Sequence, residues 1–303
     1  MPLMSDESIE PMNSNAPAMD RYFVLGNPIA HSKSPQIHAR FAELTGQAMD
    51  YQRQLAPLDG FTALLALLLQ GGARGCNVTV PFKFEAFQAA RTQSDRAQLA
   101  QAANTLVMNQ DGLHADNTDG MGLVRDIEVN AGMPLAGRDV LLIGAGGAGA
   151  GVLGPLLMAA PRRLVLVNRT RSRADALVAQ HRAHASLQAT LLTTELLVQD
   201  LQAVAGAFDV VINASASSLS GSAVPVSHRV LKPGALACDL MYGPAAAGFM
   251  AWATAHGARP RDGLGMLVEQ AAESFTLWRG MRPPAAQVLR ELRAQLKPVE
   301  PLA

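Results

Sequence analysis

A glycine-rich segment near the middle of the chain constrains the fold more than any other stretch. Four apolar residues, 140–143, precede Gly144, Gly146 and Gly149, which match the pattern G-x-G-x-x-G. The first glycine of such a loop permits a tight turn, the second lets the backbone approach a diphosphate, and the third lets the helix pack close to the strand. We therefore predict a buried parallel strand, a helix from about Gly147, and a dinucleotide at the helix N-terminus. The alternative is a tight turn without a ligand.

The next strand of this unit, 163–167, is followed by basic rather than acidic residues. In NAD-binding units an Asp or Glu about 20 residues past the glycines bonds the ribose 2′-hydroxyl, but this position holds Asn168. The arginines Arg169, Arg171 and Arg173 come directly after it. Because a guanidinium group matches the geometry of a phosphate, the segment favours NADP over NAD. The alternative is a helix start with solvated arginines.

The overall composition argues against several classes of function. Lys plus Arg number 25, as do Asp plus Glu, so no positive surplus points to nucleic acid or an anionic membrane. The longest apolar run, 63–69, is too short to cross a bilayer. Cys76 and Cys238 lie in apolar, strand-like runs, so we expect reduced core thiols and no metal site. We expect a soluble, cytoplasmic protein whose polar segment 1–19 is a disordered tail.

Strand and helix patterns alternate along the rest of the chain, which predicts an α/β protein with mostly parallel sheets. Ser34 is expected to cap a helix that has Pro35 in its first turn. Pro155 falls inside the helix after the glycines and is expected to kink it. The other predicted strands are 22–26, 51–55, 75–80, 104–108, 113–115, 187–192, 208–214 and 235–240, and the other predicted helices are 34–44, 60–69, 83–91, 120–130 and 267–279.

Several polar residues follow the predicted strands closely, where α/β folds carry functional groups. A lysine next to a carboxylate at such an edge can exchange a proton with a substrate hydroxyl, since burial and the paired charge tune both groups. Each residue also has a structural alternative: a helix cap for Ser34, an exposed lysine for Lys83, turn-forming roles for Asn104 and Asp119. The candidates are Ser32, Ser34, Thr79, Lys83, Asn104 and Asp119.

Seven separated stretches together resemble the pattern of the shikimate dehydrogenase family. The resemblance runs from about residue 22 to residue 292 and depends on the order and spacing of all the stretches. They are 26–35, 77–83, 104–106, 117–120, the glycine loop 144–149, 168–170 and 265–272.

The resemblance implies the reversible reduction of 3-dehydroshikimate to shikimate with NADPH, a step of chorismate and aromatic amino acid biosynthesis. It also implies two domains, of which the first is an α/β substrate domain and the second is Rossmann-like. The expected division is the tail 1–19, a substrate-binding catalytic domain 20–119, an NADP-binding domain 120–264, and C-terminal helices 265–303 that return to the first domain. We expect a monomer or a homodimer that binds a small-molecule substrate.

Individual roles follow from the same resemblance. Lys83 and Asp119 match the catalytic pair, with Lys83 as the acid/base. Substrate contacts are implied for Ser32 and Ser34 on the carboxylate, for Thr79, Asn104 and Gln270 on the ring hydroxyls, and for Lys83, Asp119 and Tyr242. Cofactor contacts are implied for Gly144, Gly146, Gly147, Ala148, Gly149, Asn168, Thr170, for Arg169 and Arg173 on the 2′-phosphate, and for Leu240 and Gly263 near the nicotinamide.

Two positions depart from the family pattern. Ser215 stands where the family usually has threonine, which preserves a hydroxyl, and 247–248 replace a Thr-Pro pair beyond Tyr242. Three alternatives stay open: a catabolic quinate/shikimate dehydrogenase using NAD, a non-catalytic NADP-binding regulator, and another enzyme of this plan such as a folate dehydrogenase. Asn168 in place of an acidic residue argues against the first, and the presence of both Lys83 and Asp119 argues against the second. The stretches around Ser32 and Gln270 argue against the third.

Overall fold

A computed structural model describes residues 19–215, 217–218 and 223–296 of the chain. Nearly all of the expected tail, parts of the loop 215–222 and the segment after residue 296 lie outside these residues. Within the described part, the strands form two separate six-stranded sheets. The α/β class expected from the alternation of strands and helices is therefore confirmed.

The first sheet is mixed, with the strand order β2-β1-β3-β5-β6-β4. Strand β1 lies parallel to β2 and β3, whereas β5 is antiparallel to both β3 and β6. The strands are β1 (Asp20–Gly26), β2 (Met49–Leu55), β3 (Gly75–Val78), β4 (Thr92–Gln93), β5 (Thr105–Asn109) and β6 (Gly112–Asp116). The helices are α1 (Ser34–Thr45), α2 (Phe61–Gln70), α3 (Lys83–Ala89) and α4 (Asp95–Ala100).

The second sheet is parallel, with the order β12-β11-β10-β7-β8-β9, and is Rossmann-like. The glycine loop connects β7 to α6, as predicted. Its strands are β7 (Asp139–Ile143), β8 (Arg163–Val167), β9 (Glu195–Gln199), β10 (Phe208–Asn213), β11 (Leu231–Asp239) and β12 (Arg259–Arg261). Its helices are α6 (Gly147–Met158), α7 (Arg171–Ala183), α8 (Gln188–Leu191) and α9 (Ala247–Ala255).

Three further helices join the sheets. Helix α5 (Asp119–Arg125) continues as a π-helical turn, Asp126–Asn130, and helices α10 (Leu264–Arg279) and α11 (Ala285–Gln295) complete the described chain. Apolar side chains of α10 and α11 share one core with β1, β2 and α1, including the buried pair Phe41 and Phe275. The last helices thus pack on the first sheet although they follow the second in sequence.

Helix α5 approaches α10 so closely that only glycine fits at the crossing. A Cβ atom on Gly122 would lie 2.7 Å from the backbone nitrogen of Gln270 and 2.8 Å from the carbonyl oxygen of Met266. On the opposite side of α5, Gly120 packs against α6, where its Cβ atom would lie 2.6 Å from the Gly151 oxygen. These two contacts set the position of α5 between the sheets.

One predicted strand is wrong. Residues 187–192 are helical, forming a 3-10 turn (Ala185–Leu187) and α8, and the edge strand β9 begins only at Glu195. Leu187 and Leu191 are four residues apart, which is the spacing of one helix face. Leu187 is fully buried, whereas Leu192 is 87% exposed.

Two helix starts also differ from the predictions. The carbonyl oxygen of Lys33 accepts a bond from the N–H of Ile37, so Lys33 is the N-cap of α1 and Ser34 is already helical. Helix α10 begins at Leu264 instead of residue 267 because the N–H of Leu267 already bonds to the Gly263 carbonyl. Gln270 therefore lies in the second turn of α10.

The prediction that both cysteines are core thiols is confirmed. Cys76 in β3 and Cys238 in β11 are free and buried, and burial raises the pKa of both thiols. Among the described helices, none is both long and apolar enough to span a bilayer.

Candidate active site

A cleft of about 480 Å³ lies between the two sheets and collects side chains from both. The predicted substrate-side residues all line it, although they come from six different parts of the chain. These residues are Ser32, Ser34, Thr79, Lys83, Asn104, Asp119, Tyr242 and Gln270. Three of the predicted cofactor-side residues, Ala148, Leu240 and Gly263, also line the cleft.

Lys83 and Asp119 form an ion pair at the floor of this cleft. The Lys83 Nζ atom lies 2.6 Å from Asp119 Oδ2, and the two side chains are 22% and 8% exposed. Lys83 starts α3 after the turn in which the N–H of Phe82 bonds to the Thr79 carbonyl. Asp119 starts α5, and its N–H bonds to the Asn117 side chain at 3.2 Å. The two helix starts therefore present one hydrogen-bonded ion pair to the cleft.

The side-chain amide of Asn104 ties this pair to α10. Its Nδ2 atom donates to Asp119 Oδ1 at 2.9 Å and to Gln270 Oε1 at 2.7 Å. Its Oδ1 atom accepts a bond from the Thr118 N–H at 2.8 Å. Since both ends of the amide are bonded, the carboxylate and the Gln270 side chain keep a fixed relation to each other. Gln270 is therefore a half-buried residue of the cleft.

A second row of polar groups lies behind Asn104. Asn77 donates through Nδ2 to Ser274 Oγ at 3.0 Å and to Thr105 Oγ1 at 3.1 Å, and Tyr51 donates to its Oδ1 at 2.7 Å. Asn77 also lines the cleft, although it was not among the site residues predicted from the sequence. The sequence does contain a signal for it. Asn77 places an amide inside the otherwise apolar strand β3, shortly before Lys83.

The glycine loop leaves the N-terminus of α6 open. Gly144 has φ +112°, a conformation that favours glycine, and Gly146 is the N-cap. The first α-helical bond runs from the Ala150 N–H to the Gly146 carbonyl at 2.9 Å. The N–H groups of residues 147–149 therefore point out of the helix end, where an anion would sit.

Asn168 shapes this loop from the end of β8. Its Oδ1 atom accepts a bond from the Ala145 N–H at 3.1 Å, and its Nδ2 atom donates to the Thr170 carbonyl at 2.8 Å. Arg169 and Arg173 are exposed, and within the described residues neither forms an ion pair, whereas Arg171 lies 3.5 Å from Asp175. Two guanidinium groups beside the loop are thus available to a ligand phosphate.

The buried carboxylate of Asp239, the last residue of β11, accepts hydrogen bonds from three other residues of the second sheet and its loops. This carboxylate is 1% exposed, and burial raises its pKa. It accepts bonds from the Met241 N–H at 2.8 Å and from Asn213 Nδ2 at 3.1 Å, and the Ser218 hydroxyl also donates to it. These bonds join the loop after β10 to the segment that carries Leu240. The role of Asp239 in joining them was not predicted from the sequence, because Asn213 and Ser218 are more than 20 residues away from it.

Phe84 is a further residue that sequence reasoning missed. It follows Lys83 on α3 and is 50% exposed. Its ring lies 4.0 Å from the point that a Cβ atom on Gly147 would occupy, so it reaches from the first sheet's helix to the N-terminus of α6.

Family models match three separate parts of the chain. Residues 24–106 match the shikimate dehydrogenase substrate binding domain, and residues 128–222 match shikimate / quinate 5-dehydrogenase. Residues 263–293 match the shikimate 5′-dehydrogenase C-terminal domain.

Individual proteins match over nearly the whole chain. A shikimate dehydrogenase (NADP(+)) of Acidovorax sp. (strain JS42) is 64% identical, covering 92% of this chain and 98% of the relative. The crystal structure of an Ael1 enzyme from Pseudomonas putida is 43% identical with a TM-score of 0.81, covering 90% of this chain and 98% of that one. The shikimate 5-dehydrogenase of Thermus thermophilus, solved with NADP(H) and shikimate, is 31% identical with a TM-score of 0.79, covering 92% of this chain and 100% of that one.

Proposed function

The chain belongs to the shikimate dehydrogenase family, and we propose that Lys83 and Asp119 are the acid–base pair with which it interconverts 3-dehydroshikimate and shikimate. As a member of this family it is an NADP-dependent oxidoreductase that acts on a CH–OH group. The observation that carries the proposal is the 2.6 Å ion pair at the floor of the cleft, held by Asn104. The cofactor-side residues line the same cleft from the other sheet.

The second sheet fits NADP at the open end of α6. The outward N–H groups of residues 147–149 suit a diphosphate, and the exposed Arg169 and Arg173 suit the additional 2′-phosphate. We assign Asn168 and Thr170 to the support of this site, since their mutual bond shapes the loop. Leu240 and Gly263, joined through Met241, form the wall nearest the nicotinamide. When bound, the cofactor supplies or accepts the hydride.

The first sheet orients the substrate. Ser32 and Ser34 would bind its carboxylate at one end of the cleft. Thr79, Asn104 and Gln270 would hold the ring hydroxyls, because hydroxyl groups can both donate to and accept from these side chains. Tyr242 follows β11, lines the cleft and packs against the core of the first sheet, and burial raises the pKa of its hydroxyl. Holding both reactants in one geometry removes much of the entropic barrier to hydride transfer.

Lys83 moves the proton. During reduction its ammonium donates a proton to the carbonyl oxygen as the hydride reaches the carbon, which yields the hydroxyl of shikimate. In the reverse direction the neutral amine takes that proton back. Asp119 holds the Lys83 nitrogen in place throughout and balances the charge of its protonated form.

A comparison of four assays tests this proposal. NADP and NAD reduction would each be followed with shikimate and with quinate as the alcohol. We expect strong turnover only with shikimate and NADP. Turnover confined to quinate and NAD would instead support a catabolic quinate/shikimate dehydrogenase, and tight NADP binding without turnover would support a regulator.

The remaining expectations are part of the same proposal. We propose the division into 20–119, 120–264 and 265–303, supported by the two sheets and by the packing of α10 and α11 on the first. A monomeric or homodimeric state, to be measured by light scattering, and a cytoplasmic location stay predictions.

A further inference from the structure

We propose that Arg53 is a positioning residue for the substrate carboxylate and acts on it through the turn that contains Ser32. This inference rests on the proposed function, since it assumes that Ser32 and Ser34 bind a carboxylate. Arg53 itself does not line the cleft, and neither the family resemblance nor the motifs pointed to it.

The geometry of the turn is the first observation. Arg53 lies on β2, the edge strand of the first sheet, and its Nε atom donates to the Ser32 carbonyl oxygen at 2.9 Å. Its Nη2 atom donates to the same oxygen. Inside the turn, Ser32 Oγ accepts a bond from the Ser34 N–H at 3.3 Å. The guanidinium group therefore holds from outside the turn that presents both serines to the cleft.

The charge around the turn is the second observation. His31 and Lys33 flank Ser32 and line the cleft. Within the described part of the chain, neither of them nor Arg53 forms an ion pair with a carboxylate. The charge of Lys83, the other lysine of the cleft, is in contrast balanced by Asp119. The unpaired charges of Lys33 and Arg53 therefore give this turn a positive potential, which attracts an anionic group and raises its local concentration.

The two observations support each other because both concern the turn 31–34 and the arginine that is bonded to it. A fixed serine pair without the charge would bind a carboxylate and an ester with similar strength. A basic rim without the fixed serines would attract anions without orienting them. Together they predict selective binding of an acid over its neutral derivatives.

The test compares Arg53→Ala with the wild type on two substrates, shikimate and shikimate methyl ester. We expect the KM for shikimate to rise about five- to tenfold, the scale of an exposed charge-assisted hydrogen bond, with kcat changed less than twofold. With the ester, whose carboxylate is capped, the KM should rise less, because the ester loses the positioning of the serines but not an attraction to the charge of Arg53. Arg53→Lys, which keeps the charge but loses the forked donors, should recover only part of the effect.

Arg21→Ala is the matched control. Arg21 is an exposed arginine of the neighbouring strand β1, and it also donates to a backbone carbonyl, that of Gly71, which does not line the cleft. Both alanine variants should melt at similar temperatures, but only Arg53→Ala should change the KM for shikimate. If Arg53→Ala folds poorly, Arg53→Gln replaces it.

Three results would overturn the inference: an unchanged KM in Arg53→Ala, equal changes in both arginine variants, or equal changes with acid and ester. Failure of the proposed function is a separate result, because it would appear as absent shikimate turnover in the wild type. Salt supplies an independent measurement. Between low and high ionic strength, kcat/KM with shikimate should fall more steeply for the wild type than for Arg53→Ala.

Discussion

The two walls of the cleft hold their functional side chains in different ways. On the substrate side, Lys83, Asn104, Asp119 and Gln270 bond to one another, so the protein alone defines their geometry. On the cofactor side, Arg169 is exposed and has no ion-pair partner within the described residues. One wall is thus preorganised for chemistry, whereas the other gains its electrostatic partners from the ligand. Damage to the first should lower kcat, and damage to the second should raise the KM for the cofactor.

Removal of Lys83 should have the largest effect. Lys83→Ala should lower kcat roughly 10²–10⁴-fold, the usual contribution of one acid–base group, and change the KM for shikimate much less. The control is Lys232→Ala, since Lys232 also forms a close ion pair, 2.7 Å from Asp209, outside the cleft. Near-normal turnover in Lys83→Ala would remove this residue from the catalytic role.

Loss of the exposed arginines tests the other wall. The double variant Arg169→Ala/Arg173→Ala should raise the KM for NADP about 10–100-fold, because charge-assisted bonds to the 2′-phosphate are lost. The KM for NAD, which lacks this phosphate, should stay nearly unchanged. Arg171→Ala, which breaks only the pair with Asp175, is the control. Equal losses for both cofactors would contradict the assignment.

Gly122 tests whether helix packing holds the substrate wall in place. In Gly122→Ala the new Cβ would meet the Gln270 backbone at 2.7 Å, so the free energy of unfolding should fall by about 1–3 kcal/mol. The KM for shikimate should rise because Gln270 is displaced. In α9, Gly248 has nothing within 4 Å of its Cβ position, so Gly248→Ala should leave the KM unchanged and should not lower the free energy of unfolding, since alanine favours a helix more than glycine does. Urea unfolding and steady-state kinetics measure the two effects, and equal stability of both variants would argue against close packing.

Acid should lower the free energy of unfolding through two buried histidines, one packed behind each wall of the cleft, and the histidine of the substrate side should act down to a lower pH. His38 on α1 and His181 on α7 are fully buried, and burial lowers their pKa from 6.5 to about 3 and about 4. Neither His38 ring nitrogen has a hydrogen-bond partner within the described residues. Below pH 6.5 these two histidines therefore bind protons in the unfolded chain, whereas in the folded chain they stay neutral until the pH approaches 4 or 3. The free energy of unfolding falls as the pH drops through this window, by about 2 kcal/mol per ring at pH 5.

Urea unfolding between pH 7.5 and pH 3.5 measures this loss. Each leucine variant should lose part of the fall in stability with decreasing pH. The difference from the wild type should keep growing to about pH 3 in His38→Leu but only to about pH 4 in His181→Leu, since these are the pKa values of the two buried rings. Curves parallel to that of the wild type in both variants would show that other groups cause the acid sensitivity.

Local patterns predicted every strand of the first sheet except the two-residue β4, whereas in the second sheet they missed the edge strands β9 and β12. The glycine loop and the strand 163–167 follow from residues adjacent in sequence, and the structure has both. The segment 187–192 was assigned to a strand because its apolar content alone does not separate a short strand from a helix turn. The sequence also predicts Ser34 as a helix cap, whereas the helix begins one residue earlier. The bond from the Ile37 N–H to the Lys33 carbonyl that causes this shift has no sequence signature.

The sequence by itself determined the class of the fold, the dinucleotide loop and the identity of the polar residues, since each depends on spacing within a few residues. Only the tertiary structure decided which of those residues meet. Asn104 and Gln270 are 166 residues apart in sequence, and their bond at 2.7 Å exists because glycines let α5 pack against α10 and α6. The support of Ser32 by Arg53 arises in the same way, from a turn and an edge strand that are neighbours only in the folded sheet.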